Sequence, residues 1–164
     1  MSGAIKIRAA RGDDAVLLAT LGGVVQELHF RERPDVFKPT DVVALEGWFR
    51  ATLAAGHAMV WIAELGGMPV GYAVVVEHRR DENVFCHERR WHEVEQLGVH
   101  PGHRRHGVAR ALLQHALTSA TEAGANEVEL NTWIFNQAAH RAFERVGFAA
   151  RNLRFERRLR TLNP

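Results

Sequence analysis

The fold is decided by the stretch Glu95-Gln96-Leu97-Gly98-Val99-His100-Pro101-Gly102-His103-Arg104-Arg105-His106-Gly107-Val108-Ala109-Arg110-Ala111-Leu112-Leu113. Leu97 and Val99 alternate as in a strand, and the Pro-Gly pair that follows ends that strand. From Val108 onward, apolar residues recur every three to four positions, which predicts a helix with one buried face. The stretch therefore predicts a strand, a basic turn and a helix that packs on a sheet.

The turn has the composition of a phosphate-binding site. The first turn of a helix leaves backbone N–H groups without partners and carries the positive end of the helix dipole, so anions bind there. Gly107 lets phosphate oxygens approach the main chain, and the arginines supply charge and forked donors. The residues predicted to bind phosphate are Arg104, Arg105, His106, Gly107, Val108, Ala109 and Arg110.

The turn matches neither a P-loop nor a dinucleotide-binding Gly-x-Gly-x-x-Gly fingerprint. Arg104 to Ala109 instead resembles the acyl-coenzyme A signature of the GCN5-related N-acetyltransferases, Gln/Arg-x-x-Gly-x-Gly/Ala. Leu97 to Pro101 resembles the cofactor strand of that family. A second family element follows in order, Asn136-x-x-Ala139-x-x-x-Phe143-Glu144-Arg145-x-Gly147-Phe148.

The resemblance implies an α/β (α+β) acyltransferase fold. In this fold a mixed central sheet with splayed parallel strands is flanked by helices. Residues 1–164 are expected to form one such domain. It implies acetyl-coenzyme A as cosubstrate, with the pantetheine arm lying between the splayed strands. No metal is expected, because Cys86, His87 and His92 are close in sequence but have no matching second ligand pair. The cofactor-binding residues that it adds are Leu97, Gly98, Val99, Asn136, Ala139 and Phe143. Asn136 also has the residue type of a helix N-cap.

Hydrophobic periodicity and turn residues predict the remaining elements. Strands are expected at 5–9, 59–65, 70–77, 91–99 and 127–132, and the last two are expected to be parallel. Helices are expected from Asp13 or Asp14 to 28, from Thr40 or Asp41 past 53, from 108 to 123 and from 136 to 146. Phe148 is expected to open a last strand, and alternating arginines and apolar residues between 151 and 160 predict a terminal strand.

Two glutamates of the cofactor strand are the candidate catalytic residues. Strict alternation places Glu93 and Glu95 on one face of the strand with Leu97 and Val99. A carboxylate beside a cofactor cleft can act as the general base that an attacking amine needs. The resemblance implies a base at Glu95 or Glu93, and Glu95 is the first choice. The alternative is that both are solvent-facing or paired with nearby arginines.

The resemblance implies direct attack by the amine on the thioester, with a backbone N–H between 97 and 99 binding the oxyanion. Many family members have a tyrosine acid where this chain has Phe143. Tyr72 is expected to pack within its strand, so coenzyme A would leave as thiolate or take a proton from water. The missing tyrosine supports an alternative, a catalytically weak module that senses acyl-coenzyme A. Cys86 has no recognisable base partner and is a poor nucleophile.

Composition limits the partners. Net charge is +2, and all but two of the 21 basic residues are arginines, which does not by itself imply nucleic acid binding. No segment approaches the ~20 apolar residues of a membrane span. A single cysteine and the absence of a signal-peptide pattern predict a cytoplasmic protein. The acceptor is expected to be a primary amine of a small molecule or protein, and a homodimer through the terminal strand or the hairpin edge is expected from resemblance alone.

Overall fold

The computed structural model describes residues 3–159, within which it forms one five-stranded sheet. The strands are β1 (Ile5–Ala9), β2 (Ala58–Leu65), β3 (Met68–Arg80), β4 (Arg89–Val99) and β5 (Glu127–Leu130). The helices are α1 (Ala15–Glu32), α2 (Val42–Ala55), α3 (Val108–Glu122) and α4 (Gln137–Glu144). The strands lie in the order β1-β2-β3-β4-β5, and all neighbours are antiparallel except β4 and β5, which are parallel. The predicted mixed sheet is confirmed.

A Gly-Gly turn joins β2 and β3, two of the predicted strands, into a hairpin. Gly66 has φ 59° and Gly67 has φ 80°, the positive values that a tight two-residue hairpin turn requires. β3 continues beyond the predicted end and β4 begins before the predicted start, so the connecting segment spans only 81–88. The long β3–β4 pair carries a polar extension of the sheet that matters for the site.

Helix α3 covers one face of the sheet and connects the two parallel strands. Its periodic apolar side chains are fully buried, as the sequence predicts. They pack on the strand residues that point to the same face, in a cluster that includes Ala63, Val70, Ala73, Val75, Val94, Val108, Leu112, Leu113 and Ala116.

Helices α1 and α2 cover the opposite face. Leu18 of α1 and Phe49 of α2 pack with Ile62, Tyr72 and Val74 in a second buried cluster. The sheet separates the two clusters. One face of β3 and β4 therefore packs against α3, and the other face packs against α1 and α2.

Two expected caps differ in their outcome. Asp41 accepts a hydrogen bond from the N–H of Ala44 at 3.0 Å and caps α2 as predicted. Asp14 precedes α1 but makes no side-chain cap bond, because Arg8 binds its carboxylate at 2.8 Å. Helix α1 also runs past its predicted end at 28 to Glu32.

The expected strands after Phe148 are wrong within the described residues, where 148–159 have no strand. Ion pairs hold this segment instead of a backbone ladder: Arg151 contacts Glu127, and Arg33 contacts Glu156 at 3.0 Å. The alternating apolar side chains need a partner surface to form a strand, and Phe155 is 89% exposed. Residue 160, the last of the predicted terminal strand, lies outside the described residues.

Candidate active site

The turn after β4 is fixed to the sheet at its start. The N–H of His100 donates to the carbonyl of Val70 on β3 at 2.8 Å. The N–H of Gly102 donates to Nδ1 of His100 at 3.1 Å, within a short 3-10 turn over Pro101–His103. These bonds fix the direction in which the chain leaves the sheet.

Two residues with positive φ then lead the chain into α3. Arg105 has φ 64° and Gly107 has φ 84°. Glycine adopts this conformation freely, whereas a residue with a side chain is strained there by about 1–2 kcal/mol. Gly107 is the N-cap residue of α3, and Val108 after it is buried. The first N–H groups of α3 therefore face a position without a side chain, as a phosphate site requires.

The arginines of the turn are exposed beside these N–H groups. Arg104 also donates from Nε to the carbonyl of Val99 at 3.4 Å, and His106 places Nδ1 2.9 Å from the carbonyl of Arg104. Within residues 3–159, Arg104, Arg105 and Arg110 form no ion pair. Their charge is available to an anion at the turn.

A gap opens between β4 and β5. The two strands pair from Trp91 with Glu127 to Val94 with Leu130, and the pairing ends there. β4 continues to Val99 while the other chain turns away toward α4. Backbone groups of β4 that face the gap are thus left without a strand partner between 95 and 99. The splayed strands that the resemblance implies are present.

A β-bulge at Glu95 corrects the predicted faces of β4. Val75 on β3 faces Val94 and Val74 faces Gln96, so Glu95 has no partner on β3. The extra residue interrupts the alternation. Val94, Leu97 and Val99 all pack on the α3 side, so Glu93 points to the α1 side instead of sharing a face with Leu97 and Val99.

Gly98 lets helix α1 lie close to the gap. A Cβ at this position would lie 2.4 Å from Cε1 of Tyr72 and 3.0 Å from Cγ2 of Val25. Packing against Tyr72 and Val25 therefore requires a glycine at position 98, in addition to the predicted place of Gly98 beside the cofactor.

Gly98→Ala is expected to destabilise the protein by about 1–3 kcal/mol, because the buried Tyr72 ring cannot yield without repacking. Chemical denaturation measures the loss. Gly47→Ala is the matched control, since a Cβ at Gly47 meets nothing within 4 Å. Equal stability of the two variants would contradict the packing role.

The two candidate glutamates have different surroundings. Glu95 is exposed at the bulge. Glu93 is hydrogen-bonded on one carboxylate oxygen, because Nδ2 of Asn131 donates to Oε1 at 3.0 Å. Nε2 of His78 lies 3.5 Å from Oε2 without forming a hydrogen bond. The alternation alone gave no reason to expect either partner, because both come from distant parts of the sequence.

Tyr72 packs as predicted and is not placed to act as an acid. Its side chain is fully buried against Phe49, and its hydroxyl donates to Oε1 of Gln96 at 2.9 Å. Burial raises the pKa of the Tyr72 hydroxyl well above its ordinary value. Phe143 packs beside Phe148 in the cluster under α3, with ring centroids 6.3 Å apart.

Asn136 is the N-cap of α4, because its Oδ1 accepts from the N–H of Ala139 at 3.2 Å. The amide Nδ2 is not used by this cap bond. Helix α4 ends at Glu144, two residues before the predicted end. The structure thus places Asn136, Ala139 and Phe143 on one short helix that follows the end of β5.

An aromatic wall joins the end of α1 and the segment after it to the loop after β5. It consists of His29, Phe37, Trp133 and Phe135: His29 stacks on Phe37 at 4.7 Å, and Phe37 meets Trp133 edge-on at 5.5 Å. Arg33 lies 5.0 Å from the Trp133 ring centroid. The wall has no local sequence signal, because it combines a residue of α1 with residues of two loops.

A cavity of about 510 Å³ lies between α1, the start of α2 and the basic turn. Its lining includes Gly23, Glu27, Arg31, Thr40 and Arg104. The Thr40 hydroxyl donates to Oε2 of Glu27 at 3.3 Å. The cavity carries both signs of charge and opens beside the turn.

No group of three or more histidine, cysteine, aspartate or glutamate side chains within residues 3–159 has the arrangement of a metal site. Among the same residues, no helix is both long enough and apolar enough to cross a membrane.

Comparison with known proteins agrees with this geometry. Residues 24–148 match the model of the acetyltransferase (GNAT) family. The chain belongs to this family. Streptothricin acetyltransferase of Streptomyces lavendulae is 41% identical over 56 residues, covering 34% of this chain and 30% of that protein. N-acetyltransferase family 8 member 3 of Rattus norvegicus is 30% identical over 99 residues, covering 60% and 42%. The matches span less than half the length of these two relatives.

Solved structures share the fold of this GNAT family member. A tetramutant protein of Bacillus halodurans superposes with a TM-score of 0.88 at 21% identity, covering 94% of this chain and 99% of that one. An aminoglycoside N-acetyltransferase in complex with coenzyme A superposes with a TM-score of 0.75 at 21% identity, covering 98% and 97%. At these identities the likeness concerns the fold.

Proposed function

We propose that this GNAT family member transfers the acetyl group of acetyl-coenzyme A to a primary amine of a small molecule or protein. The observation that carries the proposal is the junction of the open β4–β5 gap with the Gly107 turn. The gap suits an extended pantetheine arm and the turn suits a pyrophosphate. Leu97, Gly98 and Val99 would line the arm, and Asn136 would contact it through its free Nδ2.

The amine attacks the thioester carbonyl directly. The carbonyl oxygen becomes an oxyanion, which an unpaired backbone N–H of β4 between 97 and 99 would bind. A glutamate of β4 takes the proton from the ammonium form of the acceptor. Glu95 is supported by its position directly after Val94, where the pairing with β5 ends, and Glu93 by its hydrogen bond from Asn131. The thiolate of coenzyme A leaves unprotonated or takes a proton from water.

The acceptor would enter on the α1 side of the gap, between the aromatic wall and the cavity beside α1. Streptothricin and aminoglycosides are the acceptors that the names of two similar acetyltransferases give. Both carry amino groups, which supports an amine acceptor. Glu27 and Glu93 would favour a cationic one.

The other partners belong to the same proposal. Nucleic acid is disfavoured because the net charge is only +2. A cytoplasmic location is supported by the single cysteine.

A homodimer through the C-terminal segment is supported by the exposed Phe155, and sedimentation of the full chain at several concentrations tests it.

Steady-state release of coenzyme A in the presence of a panel of primary amines tests the enzyme proposal. We expect release that saturates with one class of amine and is absent with the corresponding alcohols. A chain that binds acetyl-coenzyme A but acetylates no amine would instead fit the second candidate function, an acyl-coenzyme A sensor. That candidate is favoured by one observation, the phenylalanine at position 143.

A further inference from the structure

The aromatic wall spans the β4–β5 gap from α1 to the β5 side. On the α1 side, a Cβ at Gly98 of β4 would lie 3.0 Å from Cγ2 of Val25, and His29 follows Val25 by about one helical turn. On the other side, Trp133 lies three positions after Leu130, the last residue of β5 that pairs with β4. A molecule that reaches the gap from the α1 side therefore meets the rings of the wall.

The rings of the wall are not part of the hydrophobic core. Each is partly exposed, and among the residues that the structure describes Phe37, Trp133 and Phe135 belong to neither buried cluster. They contact one another instead: Phe37 meets Trp133 edge-on, and Trp133 and Phe135 lie parallel with centroids 5.9 Å apart. Partly exposed aromatic side chains gathered beside a cleft are typical of a surface that binds an apolar or aromatic ligand.

Backbone hydrogen bonds fix both segments that carry the wall. The carbonyl oxygen of Trp133 accepts from the N–H of Asn136 at 2.9 Å and lies 3.1 Å from Nε2 of His140. On the facing segment, the N–H of Phe37 donates to the carbonyl of Arg33 at 2.9 Å. A surface that is ordered before its ligand arrives loses little conformational entropy on binding. Because the bonds at position 133 use the backbone, the indole ring can be replaced while they are kept.

The wall presents no free positive charge to an ammonium group. Burial lowers the pKa of the His29 imidazole, so this ring is mainly neutral at neutral pH. Arg33, which lies over the indole ring, is paired with Asp35 at 2.9 Å and with Glu156 at 3.0 Å. Asp35 is also bound by Arg158. Both carboxylates beside the wall are therefore engaged by arginines, and neither is free to bind a second ammonium group of an acceptor.

We propose that the acceptor is an arylalkylamine, a small molecule in which a short alkyl chain joins a primary amine to an aromatic ring. The ring would pack on the aromatic wall, and the amine would extend along the gap toward the thioester. This inference rests on the proposed acetyl transfer and names its substrate class. Streptothricin and aminoglycosides, the acceptors in the names of two similar acetyltransferases, carry several amino groups and would need free carboxylates beside the wall.

The reaction balances with this acceptor. The N–C bond of the amide forms, and the C–S bond of the thioester breaks. The ammonium form of the amine loses two protons in becoming an amide. One of them ends on the thiol of coenzyme A, and the other is released to solvent.

Kinetics with three amines test the inference. 2-Phenylethylamine and 2-cyclohexylethylamine are similar in size and differ in the aromatic ring, and kanamycin represents the polycations. We expect kcat/KM for 2-phenylethylamine to exceed that for 2-cyclohexylethylamine by about 3- to 10-fold, the range of one aromatic contact. Its excess over kanamycin should be about 100-fold or more, because additional ammonium groups would be desolvated without partners. Equal values for the first two amines, or a higher value for kanamycin, would overturn the inference.

Replacing Trp133 tests whether the wall is the source of this preference. In Trp133→Leu we expect the preference for 2-phenylethylamine over 2-cyclohexylethylamine to disappear, whereas Trp133→Phe keeps a ring and should retain it. Phe85→Leu is the matched control, because Phe85 is 91% exposed on the segment between β3 and β4. Both amines are compared on one protein sample, so a partial loss of folded protein cancels in the ratio. A wild-type preference in Trp133→Leu would overturn the inference.

Titration of the two monoamines into the protein with bound coenzyme A measures acceptor binding without acetyl transfer. We expect 2-phenylethylamine to bind more tightly than 2-cyclohexylethylamine by the same factor as in the kinetics. If this preference is present and no amine is acetylated, the proposed acetyl transfer fails while the role of the wall stands. If amines are acetylated without any preference for the aromatic ring, the role of the wall fails while acetyl transfer stands.

Discussion

Replacing Gly107 by valine is expected to weaken acetyl-coenzyme A binding by at least about 100-fold, a loss of roughly 2.7 kcal/mol of binding free energy. The backbone N–H groups at the start of α3 face this residue, and a branched side chain would occupy the space of the phosphate oxygens. The protein should remain folded, since a Cβ at Gly107 meets only Cδ1 of Ile5 at 3.7 Å. Isothermal titration calorimetry measures the change.

Gly124→Val is the control for this substitution. Gly124 has φ 71°, close to the 84° of Gly107, and a Cβ there meets nothing within 4 Å. It lies just beyond the other end of α3, so both variants strain the backbone by a similar ~1–2 kcal/mol. Equal loss of affinity in the two variants would show that strain, not the phosphate site, accounts for the effect.

Replacing a proposed general base should give the other large effect. Glu93→Gln is expected to lower kcat by about 100-fold or more, because glutamine keeps the hydrogen bond from Asn131 but cannot take a proton. Acetyl-coenzyme A affinity should stay within about twofold of wild type, since the carboxylate is not part of the basic turn before α3. Steady-state kinetics with the best amine of the panel gives both quantities.

Glu95→Gln is the companion variant. If Glu95 takes the proton, this variant loses the larger part of kcat and Glu93→Gln is nearly unchanged. If Glu93 takes it, the reverse holds, and the exposed Glu95 contributes at most a few-fold through its charge. A small effect of both substitutions would contradict catalysis by a carboxylate of β4.

The parts of the fold that the sequence predicts correctly depend on local signals. The paired glycines 66 and 67 require a tight turn, and the spacing from Val108 to Ala116 requires a buried helical face. The basic turn is also local, because its glycine, arginines and helix start are contiguous. These features needed no information about distant contacts.

The parts that failed depend on contacts between distant residues. The bulge at Glu95 follows from the register in which β3 and β4 pair, and no residue type in β4 predicts it. Asn131 and His78 reach Glu93 only after three strands assemble. The alternating C-terminal segment satisfied the local rule for a strand, yet ion pairs such as Arg33 with Glu156 hold it in another arrangement.

A calorimetric titration of the wild-type chain with acetyl-coenzyme A, and in parallel with ATP, tests the central claim most directly. The gap and the turn together predict one acetyl-coenzyme A per chain, bound more tightly than ATP, because ATP has no pantetheine arm to lie beside β4. Absence of binding, or equal affinity for both ligands, would contradict an acyl-coenzyme A site between β4 and β5.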